Sequence, residues 1–167
     1  MTAVLGINAY HGDSSACLVV DGRLIAAAEE ERFRRVKHWA GVPSLAIAYC
    51  INAANLRFED VDDIAVNSDP YANLVQKIWY VIRNRPDIAL IAERLGERRR
   101  RASLYDEISM VFPGNTFCGQ FHRVEHHLAH LGSAYLGSPF GQAVAVSVDG
   151  FGDFASAAWG VGAGISI

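Results

Sequence analysis

Residues 3–30 read "AVLGINAYHGDSSACLVVDGRLIAAAEE", and the fold follows from how they divide. "AVLGINAY" is a nearly unbroken apolar run, the pattern of a buried strand. It stops at "HGDSS", a stretch rich in turn-forming residues. A second apolar run, "ACLVV", meets "RLIAAA" across Asp21-Gly22, a strong signal for a two-residue hairpin. Three consecutive antiparallel strands are expected, and their first turn carries polar groups.

Working outward, "EERFRRVKHWAG" breaks the alternation and reads as an exposed loop. Pro43 suits a first helical turn and opens the apolar helix "PSLAIAYCINAANL". "DIAVNS" is a short strand and "YANLVQKIWYVIRN" a second helix. "PDIALIAERLGERRRRASLYDEISMVF" continues as helix with a break at Gly96. "GQFHRVEHH" contains a short strand, and "HLAHLGSAYLG" is a helix stopped by Gly137 and Pro139. "QAVAVSVDG" reads as a buried strand ending at Asp149-Gly150, and "DFASAAWGVGAGISI" starts a further hairpin strand. This order predicts an α/β layered domain with a mixed β-sheet flanked by helices. The strand pattern is still running at Ile167, where a cut strand would leave an unpaired edge. The expectation is therefore a piece of a longer protein.

The chain has 167 residues, which fits one domain, and 51% of them are hydrophobic against 20% charged, enough to fill a core. A net charge of -3 gives no general attraction to nucleic acid. The basic tract ending at Arg101 is read as a solvated helix face. No run of eighteen apolar residues predicts a membrane span, and the start lacks the form of a signal peptide. Cys17, Cys50 and Cys118 are odd in number and scattered, which points to free thiols in a reducing cytoplasm.

Four stretches carry candidate chemistry. In "VEHHLAHLGSAYL" (124–136), His126 and His130 stand four apart. On a helix they share a face, while His127 turns away. With Asp149 at a strand end they could hold iron, zinc or manganese. The alternative is a helix start with solvated histidines. A histidine in place of the glutamate of HExxH disfavours protease chemistry. In "NAYHGDSSA" (8–16), Gly12 and successive N–H groups could form an anion-binding nest, with His11, Asp13 and Ser14 beside it. The same residues also make an ordinary capped turn. In "EEERFRRVKHWAG" (29–41), Arg32, Arg34, Arg35 and Lys37 suit phosphate or carboxylate, against a self-screened charge cluster. "VDGFGDFASAAWG" offers Asp149, Gly150, Gly152 and Asp153 in a glycine-rich turn. That turn could hold a metal and a phosphate, or simply close a hairpin.

Taken together, "LGINAYHGDSSACLVVDGRLIAAAEEERFRRVKHWAG", "VEHHLAHLGSAYLGSPF" and "AVAVSVDGFGDFAS" resemble the N-terminal part of the O-carbamoyltransferases of nodulation-factor and antibiotic biosynthesis. The resemblance covers nearly the whole chain and is weakest from about Pro70 to Gly119. It implies a first lobe of the actin, sugar-kinase and Hsp70 ATPase type, which is ribonuclease H-like. It also implies transfer of a carbamoyl group to a substrate hydroxyl from carbamoyl-adenylate, itself made from carbamoyl phosphate and ATP. By motif, His126, His130 and Asp149 match metal ligands for Fe2+. His11 matches the turn histidine near the acceptor hydroxyl, and Lys37 the lysine facing the carbamoyl or phosphate groups. Asp13 is expected beside His11. Gly12, Ser14, Gly150 and Gly152 are expected to line the nucleotide.

The family pattern also needs a second lobe with one more aspartate ligand, and a separate adenylate-forming domain. Residues 1–167 are read as the N-terminal lobe without these, and are expected to be inactive or only partly competent alone. The acceptor could be a sugar, an aminoglycoside, a polyketide or a cephem, and a homodimer is compatible with the sequence. Two other readings stand beside this one. One is a non-catalytic binding or assembly module. The other is a different ATP-dependent enzyme on the same fold, ranked lower because the first strand carries Asn8 where a kinase-like ATPase has an acid.

Overall fold

The computed structural model describes residues 1–10, 12–69, 71–84, 104–112, 114 and 117–167. They fall into two compact units. The first comprises the described residues of Met1–Asn67 and Arg94–Arg123, the second those of Ser68–Glu93 and Val124–Ile167.

The first unit is a five-stranded sheet in the order β3-β2-β1-β4-β5. Its strands are β1 (Ala3–Asn8), β2 (Ser15–Val20), β3 (Arg23–Glu29), β4 (Asp63–Val66) and β5 (Gln120–Arg123). β1 runs antiparallel to β2 and parallel to β4, β2 antiparallel to β3, and β4 parallel to β5. Only β2 is reversed, which is the strand arrangement of a ribonuclease H-like sheet. The Asp21-Gly22 turn has φ of 48° and 76°, the positive pair that a type I′ hairpin requires. Gly6 faces Cys17 closely, since a Cβ there would lie 2.7 Å from the sulfur.

The core lies on one face of this sheet. Leu5, Ile7, Ala16, Leu18, Ile64 and Val66 meet Ala46, Ile47, Cys50 and Ile51 of helix α2 (Ser44–Ala53). A 3-10 turn, Phe58–Asp60, places Phe58 in the same core. Its ring stacks on Phe112 at 4.6 Å between centroids and tilts against Phe117 at 5.8 Å. Leu104 and Ile108 join from helix α4 (Leu104–Val111).

The stretch expected as a plain loop after β3 contains a one-turn helix, α1 (Glu31–Arg34). Glu30, just before it, is wholly buried, although it sits in a run of three glutamates that reads as solvated. The expected helical break at Gly96 and the basic tract at 98–101 lie outside the described residues.

The second unit contains helix α3 (Leu74–Asn84), helix α5 (His126–Leu136) and an antiparallel hairpin of β6 (Gln142–Gly152) and β7 (Ala155–Ala163). β6 does not end at Asp149-Gly150. Its register shifts between Val148 and Gly152, pairing resumes at Gly152–Ala155, and the turn falls on Asp153 and Phe154. β6 is also buried on one face only. Ala145 and Ser147 are covered, while Val144, Val146 and Val148 are exposed beside Trp159 and Val161 of β7. An unbroken apolar run shows that both faces could be buried; among the described residues of this unit only one is. On the covered face Leu131 and Tyr135 of α5 pack on the hairpin. Gly162 admits the Tyr135 ring, since a Cβ there would approach it to 2.5 Å. Among the described residues, no helix is long and apolar enough to cross a membrane.

Candidate metal centre and turn site

Helix α5 begins where Glu125 turns its carboxylate back onto the N–H of Leu128 at 2.7 Å, a side-chain cap that satisfies one orphan donor. The first turn then presents His126 and, four residues on, His130. Their rings meet edge to face at 4.6 Å, with the two Nε2 atoms 3.1 Å apart. Asp149, at the irregular point of β6, brings Oδ2 to 2.6 Å from His126 Nε2 and 3.5 Å from His130 Nε2. One ligand atom from each of the three residues lies within 4.8 Å of the others. The hydrogen bond from His126, then the Gly150 N–H, hold the Asp149 carboxyl down to about 2. It is therefore ionised, as a metal ligand must be.

The donor set fits a divalent metal. With bonds of about 2.1 Å, ligand atoms around a tetrahedral or octahedral ion stand roughly 3.0–3.4 Å apart. The two longer separations are already close to that range. The short His126–Asp149 contact is a hydrogen bond and needs to open by about half an ångström.

His127 takes no part in this cluster. It is buried, and its Nδ1 pairs with the Ser147 hydroxyl at 2.9 Å. That pairing joins α5 to β6. Helical spacing alone turns His127 away from the metal face; Ser147 comes from β6, a distant segment.

The turn site lies in the first unit. His11 is outside the described residues. Gly12 and Asp13 are exposed. The Asp13 carboxylate faces His38 Nδ1 at 2.9 Å, a partner 25 residues further along the chain. Both residues have left-handed backbones, with φ of 64° and 54°. Ser14 is fully buried and engaged at every polar group. Its N–H donates to the Trp39 carbonyl at 3.0 Å, its carbonyl accepts from Glu30 at 2.8 Å, and its hydroxyl accepts from Gly41 at 3.1 Å. In this structure Ser14 joins the first turn to the basic loop. The loop thus meets the turn through Trp39, Gly41 and His38, and Lys37, just before His38, is exposed. Arg34 stacks on Trp39 at 4.3 Å and donates to Glu30 at 2.7 Å. Gly150 lies beside Asp149, to whose Oδ1 its N–H donates at 2.6 Å, and Gly152 pairs with Ala155 before the turn.

A mixed α/β chain with a ribonuclease H-like sheet and a His-His-Asp cluster on a helix and a strand describes a class of domain rather than one activity. Comparison narrows it. The family model for the carbamoyltransferase N-terminus matches residues 3–166, and the chain belongs to that family. It is 34% identical over 161 residues to the nodulation protein NolNO of Sinorhizobium fredii, covering 96% of this chain and 22% of that protein. An uncharacterised Synechocystis sp. protein, sll1178, is also 34% identical, over 93% of this chain and 26% of its own length. The chain thus spans about a quarter of the length of these two relatives. A solved structure, YeaZ from Pseudomonas aeruginosa, overlays with a TM-score of 0.49 at 15% identity, over 96% of this chain and 59% of that one.

Proposed function

We propose that the chain is the N-terminal part of an O-carbamoyltransferase, which moves a carbamoyl group from carbamoyl-adenylate to a hydroxyl of a small-molecule acceptor. The adenylate is made elsewhere in the full protein from carbamoyl phosphate and ATP. The observation that carries the reading is the convergence of His126, His130 and Asp149 within a carbamoyltransferase-family chain. These three residues would hold Fe2+, with zinc or manganese as alternatives; a further aspartate from the rest of the protein completes the set. A bound divalent ion supplies positive charge for the carbamoyl oxygen and the leaving adenylate.

The chain's own residues take the other roles. His11 accepts the proton of the attacking hydroxyl, which is too weak a nucleophile while protonated. Lys37, exposed in the basic loop, is assigned to offset the negative charge that builds on the carbamoyl or phosphate oxygens. Gly12 of the first unit, and Gly150 and Gly152 of the second, are assigned to the nucleotide, because a residue without a Cβ lets a ligand approach the backbone. The setting is cytoplasmic. A non-catalytic assembly module is the second reading, favoured by the open apolar face of the β6–β7 hairpin.

The test supplies the chain with the remainder of a family member as a separate polypeptide. Anaerobic incubation with ferrous iron, carbamoyl phosphate, ATP and a polyhydroxylated acceptor should yield a carbamate ester by mass spectrometry. Complex formation without any ester, across sugar, aminoglycoside, polyketide and cephem acceptors, would favour the assembly reading.

A further inference from the structure

The metal cluster is assembled from two separate elements, α5 and β6, and its geometry depends on how their ends are held. Asp153 spans that gap. Its Oδ2 accepts the backbone N–H of His126 at 3.0 Å and that of Asp69 at 2.9 Å. Its carbonyl oxygen accepts from Asn73 Nδ2 at 3.0 Å. The residue lies four positions beyond Asp149 on the same hairpin, yet its carboxylate holds the first residue of the helix that carries both imidazoles. Glu125 serves the Leu128 N–H, and the His126 N–H, a second orphan donor of the same helix start, takes its acceptor from the hairpin instead of from the helix's own cap.

The backbone is strained to make the arrangement. Asp153 and Phe154 form the hairpin turn with φ of 45° and 73°. Asparagine and glycine are the usual residues for such a pair, and a phenylalanine there is an outlier. Strain of this kind persists only where surrounding contacts hold it. Here the Tyr80 ring meets Phe154 edge-on at 5.5 Å, and the three hydrogen bonds hold Asp153.

We infer that Asp153 is a positioning residue for the metal cluster: it clamps the His126 backbone, Asp69 and Asn73 to the hairpin that bears Asp149, and so sets the spacing of the three ligands before metal arrives. This rests on the proposed metal reading. It also predicts a coupling, because binding and clamping must favour each other equally. Metal at His126, His130 and Asp149 strengthens the bonds from the Asp69 and His126 N–H groups to Asp153.

The experiment uses the 167-residue chain, with Fe2+ under anaerobic conditions and Zn2+ in parallel, each titrated in competition with a chromophoric chelator. Asp153→Asn keeps the size and one acceptor oxygen but removes the charge. Its metal Kd should rise about tenfold, the low end for residues that orient ligands from outside. Its far-UV circular dichroism and metal-free urea midpoint should stay near the parent's. Amide exchange followed by NMR should slow at Asp69 and His126 when metal binds the parent, and slow less in the variant. An unchanged Kd in Asp153→Asn, or no metal-linked protection at those two amides in the parent, overturns the inference while leaving the metal site intact. Failure of the parent to bind either ion, both alone and when combined with the remainder of a family member that supplies the further aspartate, overturns the metal reading as well. Should Asp153→Asn not fold, Asn73→Ala replaces it. That variant releases the turn and spares the carboxylate, and a loss of about threefold is expected; an unchanged Kd again overturns the inference.

Discussion

Replacing Glu30 by alanine should destabilise the first unit more than any surface charge change in the same loop. The carboxylate is wholly buried. Its Oε2 accepts the Ala46 N–H at 2.9 Å, and its Oε1 accepts from Arg34 Nε at 2.7 Å, the Leu45 N–H at 3.3 Å and the Ser44 hydroxyl at 3.5 Å. Glu30 therefore serves as the acceptor for the start of α2, whose nominal cap is Pro43 with no side-chain bond. Losing a helix cap costs about 1 kcal/mol. Leaving a buried donor such as the Ala46 N–H unmet costs about 1–3 kcal/mol. Arg34, two-thirds covered, also loses its counter-charge, and breaking such a pair from one side costs about 3–5 kcal/mol in total. These figures overlap, so a loss of about 3–5 kcal/mol is expected. That is a large share of a domain's usual 5–15 kcal/mol. Glu30→Gln, which keeps one acceptor oxygen, should cost about half as much. Urea unfolding followed by circular dichroism reads both, with Arg32→Ala as an exposed control. A Glu30→Ala loss below about 1 kcal/mol would refute the argument that a buried acid organises this corner.

Three further outcomes follow from the same geometry. His126→Ala, His130→Ala and Asp149→Ala should each strongly reduce bound iron by elemental analysis. His127→Ala should keep its metal and instead lose about 2–4 kcal/mol of stability, because Ser147 is left unpaired beside a cavity; equal metal content across all four would refute the ligand assignment. Asp149 has a lowered carboxyl pKa, so its contribution to stability is complete above the ordinary carboxylate value near 4 and is lost as pH falls toward about 2. Asp149→Asn should flatten that part of the acid-unfolding curve, by a small amount that shrinks in salt because the group is exposed; superimposable curves below pH 4 would contradict the shift. Burial first, and the neighbouring Cys17 second, push the Cys50 thiol up to about 11, and burial also raises Cys17. A thiol reagent at pH 8 should therefore label exposed Cys118 quickly and Cys50 only after unfolding. Rapid labelling of Cys50 in the folded chain would show that α2 opens.

Much of the first unit was legible locally. Apolar runs, a dipeptide that favours positive φ, and a proline at a helix start each report on a few neighbouring residues, and the strands, the Asp21-Gly22 hairpin and α2 all appear where those signals put them. The i,i+4 spacing of His126 and His130 is also local, so their shared face could be read directly. Glu30 could not be read in this way. Within "EEE" it looks solvated, and only the arrival of the α2 N-terminus supplies the N–H groups that make burial tolerable. The β6 strand shows a similar limit, because its apolar residues state what could be buried and not which face meets α5.

Short segments carry most of the elements and the chemical character of the candidate groups, because backbone preference and helical spacing are local properties. The partners come from packing between distant segments. It set Asp13 against His38, Ser14 against the basic loop, His127 against Ser147, and Asp149 against two imidazoles from a helix more than a dozen residues away. It also moved the hairpin turn from Asp149-Gly150 to Asp153-Phe154. There the left-handed backbone is held by hydrogen bonds to Asp69, Asn73 and His126, long-range contacts that can offset local strain and that no window of neighbouring residues contains.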